Sequence, residues 1–235
     1  MMKRLMALVL ALLCLMPCAA MGEEGKAVYL TFDDGPKRDT PELLALLEEL
    51  DVPATFFFMG LSVKAFPEYA KMVVDAGYPV GCHTMSHKPS AIKEDPTYVG
   101  RDLRRFENIM RELVDPEFAT DIFRFPGGGS SYPRAAKQEV AAAGYAWFDW
   151  NAMTGDTMSG MKTQDLYDYA IKTGGSDEVI ILLMHEGKSR PRAILPALVA
   201  HYKEMGYTFR TLSTSAQERE ILQRCPAAMG WPEAQ

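Results

Sequence analysis

The 235-residue sequence contains few cysteines, which limits the role that disulfides can play in its fold. Two of the four cysteines lie within the first 18 residues, so the rest of the chain keeps only Cys82 and Cys225. Two cysteines do not make a disulfide framework. A bridge between them is permitted outside the cell. Because Cys82 ends an apolar stretch, however, we favour a small buried thiol at that position.

Positive charge is also scarce. Lys and Arg number 25 against 31 Asp and Glu, which gives a formal net charge of −6. No run of five or more basic residues occurs anywhere in the chain. The composition therefore argues against nucleic acid as a partner, because binding to phosphates requires clustered positive charge.

The N-terminus has the pattern of a secretory signal peptide. Two basic residues precede an uncharged apolar run at residues 5–15, and small residues follow it around Ala20. This run is shorter than the roughly 20 residues that a membrane span requires. We therefore expect residues 1–25 to be a targeting segment rather than an anchor. Cleavage near Ala20 or Gly22 leaves 23 basic against 31 acidic residues, a net charge of −8.

After this segment, short apolar runs with strand character alternate with helical segments. Such alternation implies parallel strands joined by helical crossovers. Seven repeats without a long linker predict one closed or nearly closed β/α barrel, with a doubly wound open sheet as the alternative. Residues 213–235 form a C-terminal tail with no clear pattern. The predicted strands are residues 27–32, 54–59, 80–82, 122–125, 145–150, 179–184 and 208–211.

Ionisable side chains stand at the ends of five predicted strands. In a β/α barrel, catalytic residues collect at the carboxyl ends of the strands. A purely structural strand has no reason to end in such residues, so these positions predict an active site. They are Asp33 and Asp34, His83, Arg124, Asp149 with the adjacent Trp150, and His185.

Two histidines, His83 and His87, lie four residues apart just after the third predicted strand. If the strand end turns into one helical turn, both imidazoles point to the same side. Two imidazoles and one carboxylate are a common ligand set for a catalytic zinc that keeps one position open for water. The spacing alone also fits a pair of solvated or capping histidines, and both interpretations stay open.

Adjacent carboxylates, Asp33 and Asp34, follow the first predicted strand. Successive side chains of a strand point in opposite directions, so one carboxylate can bind a cation while its neighbour faces a substrate. Gly35 would then provide a tight turn. An Asp-Asp-Gly-Pro turn without catalytic function is the alternative interpretation.

Five short motifs occur in a characteristic order, each at a predicted strand end. They are residues 31–35, 83–87, 124–128, 149–150 and 183–185. Together they resemble the five motifs of the polysaccharide deacetylases, carbohydrate esterase family 4, whose shared unit is the NodB-homology domain. The resemblance covers residues 26–212 and implies a distorted (β/α) barrel of seven or eight parallel strands.

The resemblance implies a hydrolase that uses a divalent metal, usually zinc, to remove N-acetyl groups. The implied metal ligands are Asp34, His83 and His87. Asp33 would be the general base and Arg124 its charge partner. His185 would be the general acid and Asp149 its partner.

Four further residues are candidates for substrate contact. The resemblance implies that the backbone N–H of Gly127 binds the oxyanion. We expect Trp150 and Leu183 to line a pocket for the acetyl methyl group, and Tyr132 to stack on a sugar. Asp156 is close enough to these motifs to line the cleft, but we interpret it as a turn residue.

The expected substrate is a carbohydrate polymer, with the N-acetylhexosamine of peptidoglycan favoured. Chitin oligosaccharide deacetylation and O-acetyl xylan esterase activity are the enzymatic alternatives, and an inactive glycan-binding module is the alternative of another class. We expect a secreted, cell-wall-associated monomer with no stable membrane span after cleavage.

Overall fold

The computed structural model describes residues 25–232, and in that range one sheet is surrounded by helices. Apart from Gly25, the predicted signal peptide lies outside the described residues. No helix within residues 25–232 is long and apolar enough to cross a membrane. The strands are β1 (Ala27–Gly35), β2 (Thr55–Phe58), β3 (Val80–Cys82), β4 (Ile122–Phe123), β5 (Ala146–Phe148), β6 (Ala152–Met153), β7 (Val179–His185), β8 (Thr208–Arg210) and β9 (Met229–Gly230). The helices are α1 (Thr40–Leu50), α2 (Gly60–Ala65), α3 (Pro67–Asp75), α4 (Pro89–Glu94), α5 (Tyr98–Leu113), α6 (Arg134–Ala142), α7 (Thr163–Gly174), α8 (Ser189–Glu204) and α9 (Ala216–Leu222).

The sheet runs in the order β6, β7, β1, β2, β3, β4, β5, β9, and β8 pairs with β1. All pairs are parallel except β5 with β9. Strand β1 pairs with β7 from Ala27 to Asp33, with β8 at its first three residues and with β2 from Thr31 onward. The predicted distorted (β/α) barrel is thereby confirmed. Strands β6 and β9, which the sequence patterns did not predict, form the two ends of the strand order.

Alternate residues of each strand belong to two different cores, as the pleat requires. In β1, Val28, Leu30 and Phe32 pack in the larger cluster between sheet and helices. Ala27 and Tyr29 pack in a second cluster, which also holds one face of the neighbouring strands, including Phe57, Phe148 and Ile181. Residues 31 and 33 continue the row of Tyr29. The carboxylate of Asp33 therefore lies at the end of the row of side chains that starts with Ala27 and Tyr29.

The helices pack on the larger cluster through stripes of apolar side chains. Helix α5 buries Leu103, Phe106 and Met110, spaced three and four residues apart, while its arginines point outward. Helix α1 has Pro41 in its first turn and buries Leu43 and Leu47. These stripes fix the helices against the sheet, so the loops at the strand ends start from rigid positions.

The described part of the C-terminal tail, residues 213–232, packs on the rest of the fold. Ser215 caps α9 by accepting a hydrogen bond from the Glu218 N–H. The ring of Trp231 packs edge-on against Phe148, with 5.4 Å between the ring centroids. The backbone N–H of Asp149 donates to the carbonyl of Ala228 at 2.9 Å. The tail therefore covers the side of the sheet next to β5.

Both cysteines of the described chain, Cys82 and Cys225, are free thiols. Cys82 is completely buried at the end of β3, which agrees with the favoured interpretation. Burial raises the pKa of both thiols, that of Cys225 to about 11. Neither is therefore a reactive thiolate at neutral pH.

Candidate active site

The three predicted metal ligands come together at the carboxyl ends of β1 and β3. Their donor atoms all lie within 4.8 Å of one another. Oδ1 of Asp34 is 3.7 Å from Nε2 of His83 and 3.9 Å from Nε2 of His87. Ligands about 2.1 Å from a tetrahedral zinc are about 3.4 Å apart. The observed separations are close to that value.

Oδ1 of Asp34 is the atom that most directly indicates a cation. It is buried, and it has no hydrogen-bond partner among the described residues. A buried carboxylate oxygen without a partner is costly unless a ligand satisfies it. The donor set of Asp34, His83 and His87 therefore fits a divalent metal ion.

The backbone that carries these ligands is strained. Asp34, Thr84 and His87 have φ angles of 69°, 66° and 51°, in the left-handed region that side chains rarely adopt. The helical turn considered from the spacing of His83 and His87 is therefore not formed. Left-handed turns bring the two rings to 5.0 Å, and the N–H of His87 donates to Oγ1 of Thr84 at 3.0 Å.

The protonation of His83 is set by its second nitrogen. Nδ1 lies 2.9 Å from the carbonyl of Arg124, which only accepts, so Nδ1 carries the proton and Nε2 faces Asp34 with its lone pair. Burial lowers the pKa of His83, although the charges of Asp33 and Asp34 oppose this shift. The neutral imidazole, which is the form that binds metals, is therefore favoured.

Asp33 and Arg124 form a buried ion pair inside the barrel. Arg124 is fully buried and donates from Nη1 to Oδ1 of Asp33 at 2.9 Å and to Oγ1 of Thr31 at 2.7 Å. Its Nε donates to the carbonyl of Phe148 at 2.9 Å, and its guanidinium lies 4.3 Å from the ring centroid of Phe57. These contacts fix Oδ1 of Asp33 and leave its Oδ2, 3.7 Å from Nε2 of His83, facing the metal ligands.

His185 pairs with Asp156. Nδ1 of His185 lies 2.9 Å from Oδ1 of Asp156, and the backbone N–H of His185 donates to the other oxygen at 2.8 Å. Burial of the ring disfavours protonation, but the hydrogen bond and charge of Asp156 outweigh it, with smaller contributions from Asp33 and Asp34. The pKa of His185 is therefore raised above its usual value.

This geometry agrees with the comparisons to known proteins. A family model described as polysaccharide deacetylase matches residues 21–148, which is more than half of the chain. The chain belongs to the polysaccharide deacetylase family. It is a polysaccharide N-deacetylase, a hydrolase that acts on carbon–nitrogen bonds.

Individual relatives support the same conclusion. The chain is 31% identical over 203 residues to a peptidoglycan-N-acetylglucosamine deacetylase of Bacillus cereus, covering 82% of this chain and 71% of that protein. An esterase of carbohydrate esterase family 4 from Streptococcus mutans has a TM-score of 0.74 at 29% identity, covering 80% of this chain and 87% of that one. A polysaccharide deacetylase from Bacillus cereus also has a TM-score of 0.74, at 27% identity, covering 81% and 94%.

Within this deacetylase fold, Asp149 has a different place from the one predicted. The prediction that Asp149 pairs with His185 is wrong, because Asp156 occupies that position. Oδ1 of Asp149 instead accepts a hydrogen bond from the N–H of Gly129 at 2.6 Å, and its carbonyl accepts from Arg124 at 3.3 Å. Burial raises the pKa of Asp149, opposed by the Gly129 N–H and by Arg124. Through these contacts, Asp149 helps to hold the glycine-rich loop of residues 127–129 in place.

The predicted stacking role of Tyr132 is also wrong. Its side chain is 4% exposed, its hydroxyl donates to the carbonyl of Pro126 at 2.8 Å, and its ring lies 4.7 Å from that of Phe125. Burial raises the pKa of Tyr132 to about 12. Tyr132 therefore belongs to the core beneath the loop and presents no face to a sugar.

The other substrate-contact candidates lie near the site. Gly127 has a φ of 73°, and nothing lies within 4 Å of a Cβ built on it, so its backbone is open to an approaching ligand. Trp150 is partly buried, with its ring 5.7 Å from the guanidinium of Arg124. Leu183 precedes His185 by two residues in β7 and therefore shares its face of the sheet.

Proposed function

We propose that this chain removes the N-acetyl group from N-acetylglucosamine residues of peptidoglycan, with the aid of a divalent ion. The observation that carries the proposal is the convergence of Asp34, His83 and His87 between two charged pairs. One pair is Asp33 with Arg124 and the other is His185 with Asp156. Peptidoglycan is favoured because it is the named substrate of the relative from Bacillus cereus.

Zinc is the proposed metal, bound by the three ligands above. Two imidazoles and one carboxylate match the ligand preference of zinc and leave a further coordination position available. When bound, a divalent ion supplies Lewis-acid chemistry, because it polarises the acetyl carbonyl and lowers the pKa of water.

Asp33 is the proposed general base. Its Oδ1 is held by Arg124, so Oδ2 remains available to accept a proton from the attacking water. Arg124 also keeps the Asp33 carboxylate in one orientation, because the guanidinium is itself fixed by Thr31 and Phe148. The ion pair therefore holds the base in place.

His185 is the proposed general acid. An amide nitrogen is a poor leaving group as an anion, so it must receive a proton as the carbon–nitrogen bond breaks. Asp156 holds Nδ1 of the ring, which leaves Nε2 to donate that proton. The Gly127 N–H is the proposed protein donor to the oxyanion.

Trp150 and Leu183 are the proposed wall of the acetyl pocket. The predicted signal peptide supports a location outside the cell, where peptidoglycan is found. We propose that the enzyme acts there as a monomer.

Acetate release tests the proposal. Purified mature protein would be incubated with peptidoglycan, chitin oligomers and acetylxylan, each with a chelator and again after zinc is restored. We expect metal-dependent acetate release from peptidoglycan, with one new free amine for each acetate. Acetate from acetylxylan alone would support an esterase instead, and no release from any substrate would support a glycan-binding module.

A further inference from the structure

A buried carboxyl next to the proposed general acid has no role in the mechanism above. Glu186 follows His185 directly and is 4% exposed. Its Oε2 accepts a hydrogen bond from the hydroxyl of Thr40. Its Oε1 is buried and has no hydrogen-bond partner among the described residues. A carboxyl in such a place needs a reason, because burying it costs free energy.

The position of Glu186 explains why residue 35 is glycine. A Cβ built on Gly35 would overlap the carboxyl of Glu186 and lie 2.8 Å from the ring of Phe58. Gly35 is the last residue of β1, and the left-handed residue is its neighbour Asp34. Glycine is therefore required at position 35 by the close approach of Glu186 rather than by a positive φ.

Glu186 forms hydrogen bonds with the chain before and after Asp34. Its backbone N–H donates to the carbonyl of Asp33 at 3.0 Å. On the other side, the Thr40 hydroxyl donates to its carboxyl and accepts from the N–H of Lys37 at 2.8 Å. A left-handed backbone at an aspartate is unfavourable, so the surrounding contacts must hold it.

We propose that Glu186 is a positioning residue whose carboxyl, packed on Gly35 and bonded to Thr40, holds Asp34 in the geometry that binds the metal. This inference rests on the proposed metal site. Loss of a group that orients a metal ligand typically weakens metal affinity about 10- to 100-fold.

The role of the carboxyl rests on its shape and its hydrogen bond to Thr40. Burial raises the pKa of Glu186 to about 8, which favours the neutral form. A glutamine has the same shape, is neutral, and keeps an oxygen that accepts from Thr40. We therefore expect glutamine to replace Glu186, whereas alanine leaves a gap beside Gly35.

Zinc affinity of the metal-free protein, measured by competition with a chromophoric chelator, tests this inference. We expect Glu186→Gln to bind zinc within about threefold of the wild type, and Glu186→Ala to bind it about 10- to 100-fold more weakly. Thr40→Val, which replaces the hydroxyl with a methyl group and removes its hydrogen bonds to Glu186 and Lys37, should weaken binding by a smaller factor. It also keeps the test possible if the alanine variant does not fold.

Glu218→Ala is the matched control, because Glu218 is a buried carboxylate at the opposite end of β1. It should lower the unfolding temperature and leave zinc affinity unchanged. If Glu186→Ala binds zinc as tightly as the wild type but unfolds at a lower temperature, Glu186 has only a structural role. If Glu186→Gln binds zinc as weakly as Glu186→Ala, the site needs a charged carboxylate and the inference is wrong. A wild type that binds no zinc would instead refute the proposed function.

Discussion

The two ends of β1 carry buried clusters of charged side chains that differ in one respect. At the start of the strand, the Glu218 carboxylate accepts a hydrogen bond from the Tyr29 hydroxyl. It accepts another from Nε of Arg210, which lies 2.8 Å from its Oε1. Both of its oxygens have partners. At the end of the strand, Oδ1 of Asp34 has no partner within residues 25–232, although Nε2 of His83 lies 3.7 Å away. The first cluster is complete in itself, and the second needs a ligand.

The difference separates stability from function along a single strand. In β/α barrels the carboxyl ends of the strands carry the active site, and the opposite face contributes to stability. A saturated network of hydrogen bonds makes a core more rigid, whereas perturbed and unsatisfied groups collect at functional sites. Substitutions at the Tyr29 end should therefore change stability, and those at the Asp34 end should change activity.

The largest expected effect is that of Asp33→Asn. The amide keeps the shape and still accepts from Arg124, but it cannot take a proton from water. We expect kcat to fall about 1,000-fold, within the range for loss of a general base. Acetate release measures this, with metal content and unfolding temperature as controls that should change little. Unchanged acetate release would show that Asp33 is not the base.

The next effect concerns the partner of His185. Asp156 raises the pKa of His185, and a general acid must be protonated, so activity declines as the pH rises through that pKa. Asp156→Asn should lower the pKa, move the alkaline limb of the kcat profile to lower pH, and reduce kcat about 100-fold.

Asp149→Asn is the matched control for that experiment. It removes a carboxylate that holds Gly129 but does not contact His185. We expect the alkaline limb of its kcat profile to stay in place. If the limb moves in Asp149→Asn and not in Asp156→Asn, the pairing seen in the structure does not operate in solution.

Sequence patterns predicted the site residues that lie at a recognisable apolar run. Asp33, His83 and His185 follow apolar runs of three to six residues, and the fold brings them together. Asp156 was considered as a cleft residue but interpreted as a turn residue, because β6 has only two residues, Ala152–Met153, and no apolar run leads to it. Asp149 was given the wrong partner because the resemblance assigned that role to the aspartate after β5, whereas His185 pairs with Asp156.

Side-chain direction in loops was the second limit. A glycine-rich segment shows that the backbone can turn, but it does not show which way Tyr132 points. Its burial depends on the Phe125 ring that packs against it and on the Pro126 carbonyl that accepts its hydroxyl. The tail elements α9 and β9 were missed for a similar reason. They are short, and their packing on β5 depends on contacts distant in sequence.

Glu218→Ala tests the other end of β1. It leaves Tyr29 and Arg210 without their shared acceptor, and we expect the free energy of unfolding to fall by about 1–3 kcal/mol. Denaturant unfolding measures this loss. At a temperature where the variant is folded, kcat should equal that of the wild type. A large loss of kcat in the folded variant would remove the distinction between the two ends.

Tyr132→Phe should have the smallest effect. It removes the hydrogen bond to the Pro126 carbonyl and keeps the packed ring, so the free energy of unfolding should fall by about 1 kcal/mol. Because the ring is buried, KM for glycan oligomers should not change. A severalfold rise in KM with unchanged stability would restore Tyr132 as a substrate contact.

The metal content of the purified protein tests the central claim most directly. Mature wild type without a histidine tag would be compared with Asp34→Ala and His87→Ala by elemental analysis, with Glu218→Ala as the control. We predict about one equivalent of a divalent metal per chain in the wild type and the control, and nearly none in the two ligand variants. A wild type without metal that still releases acetate, or ligand variants that retain the metal, would contradict the account.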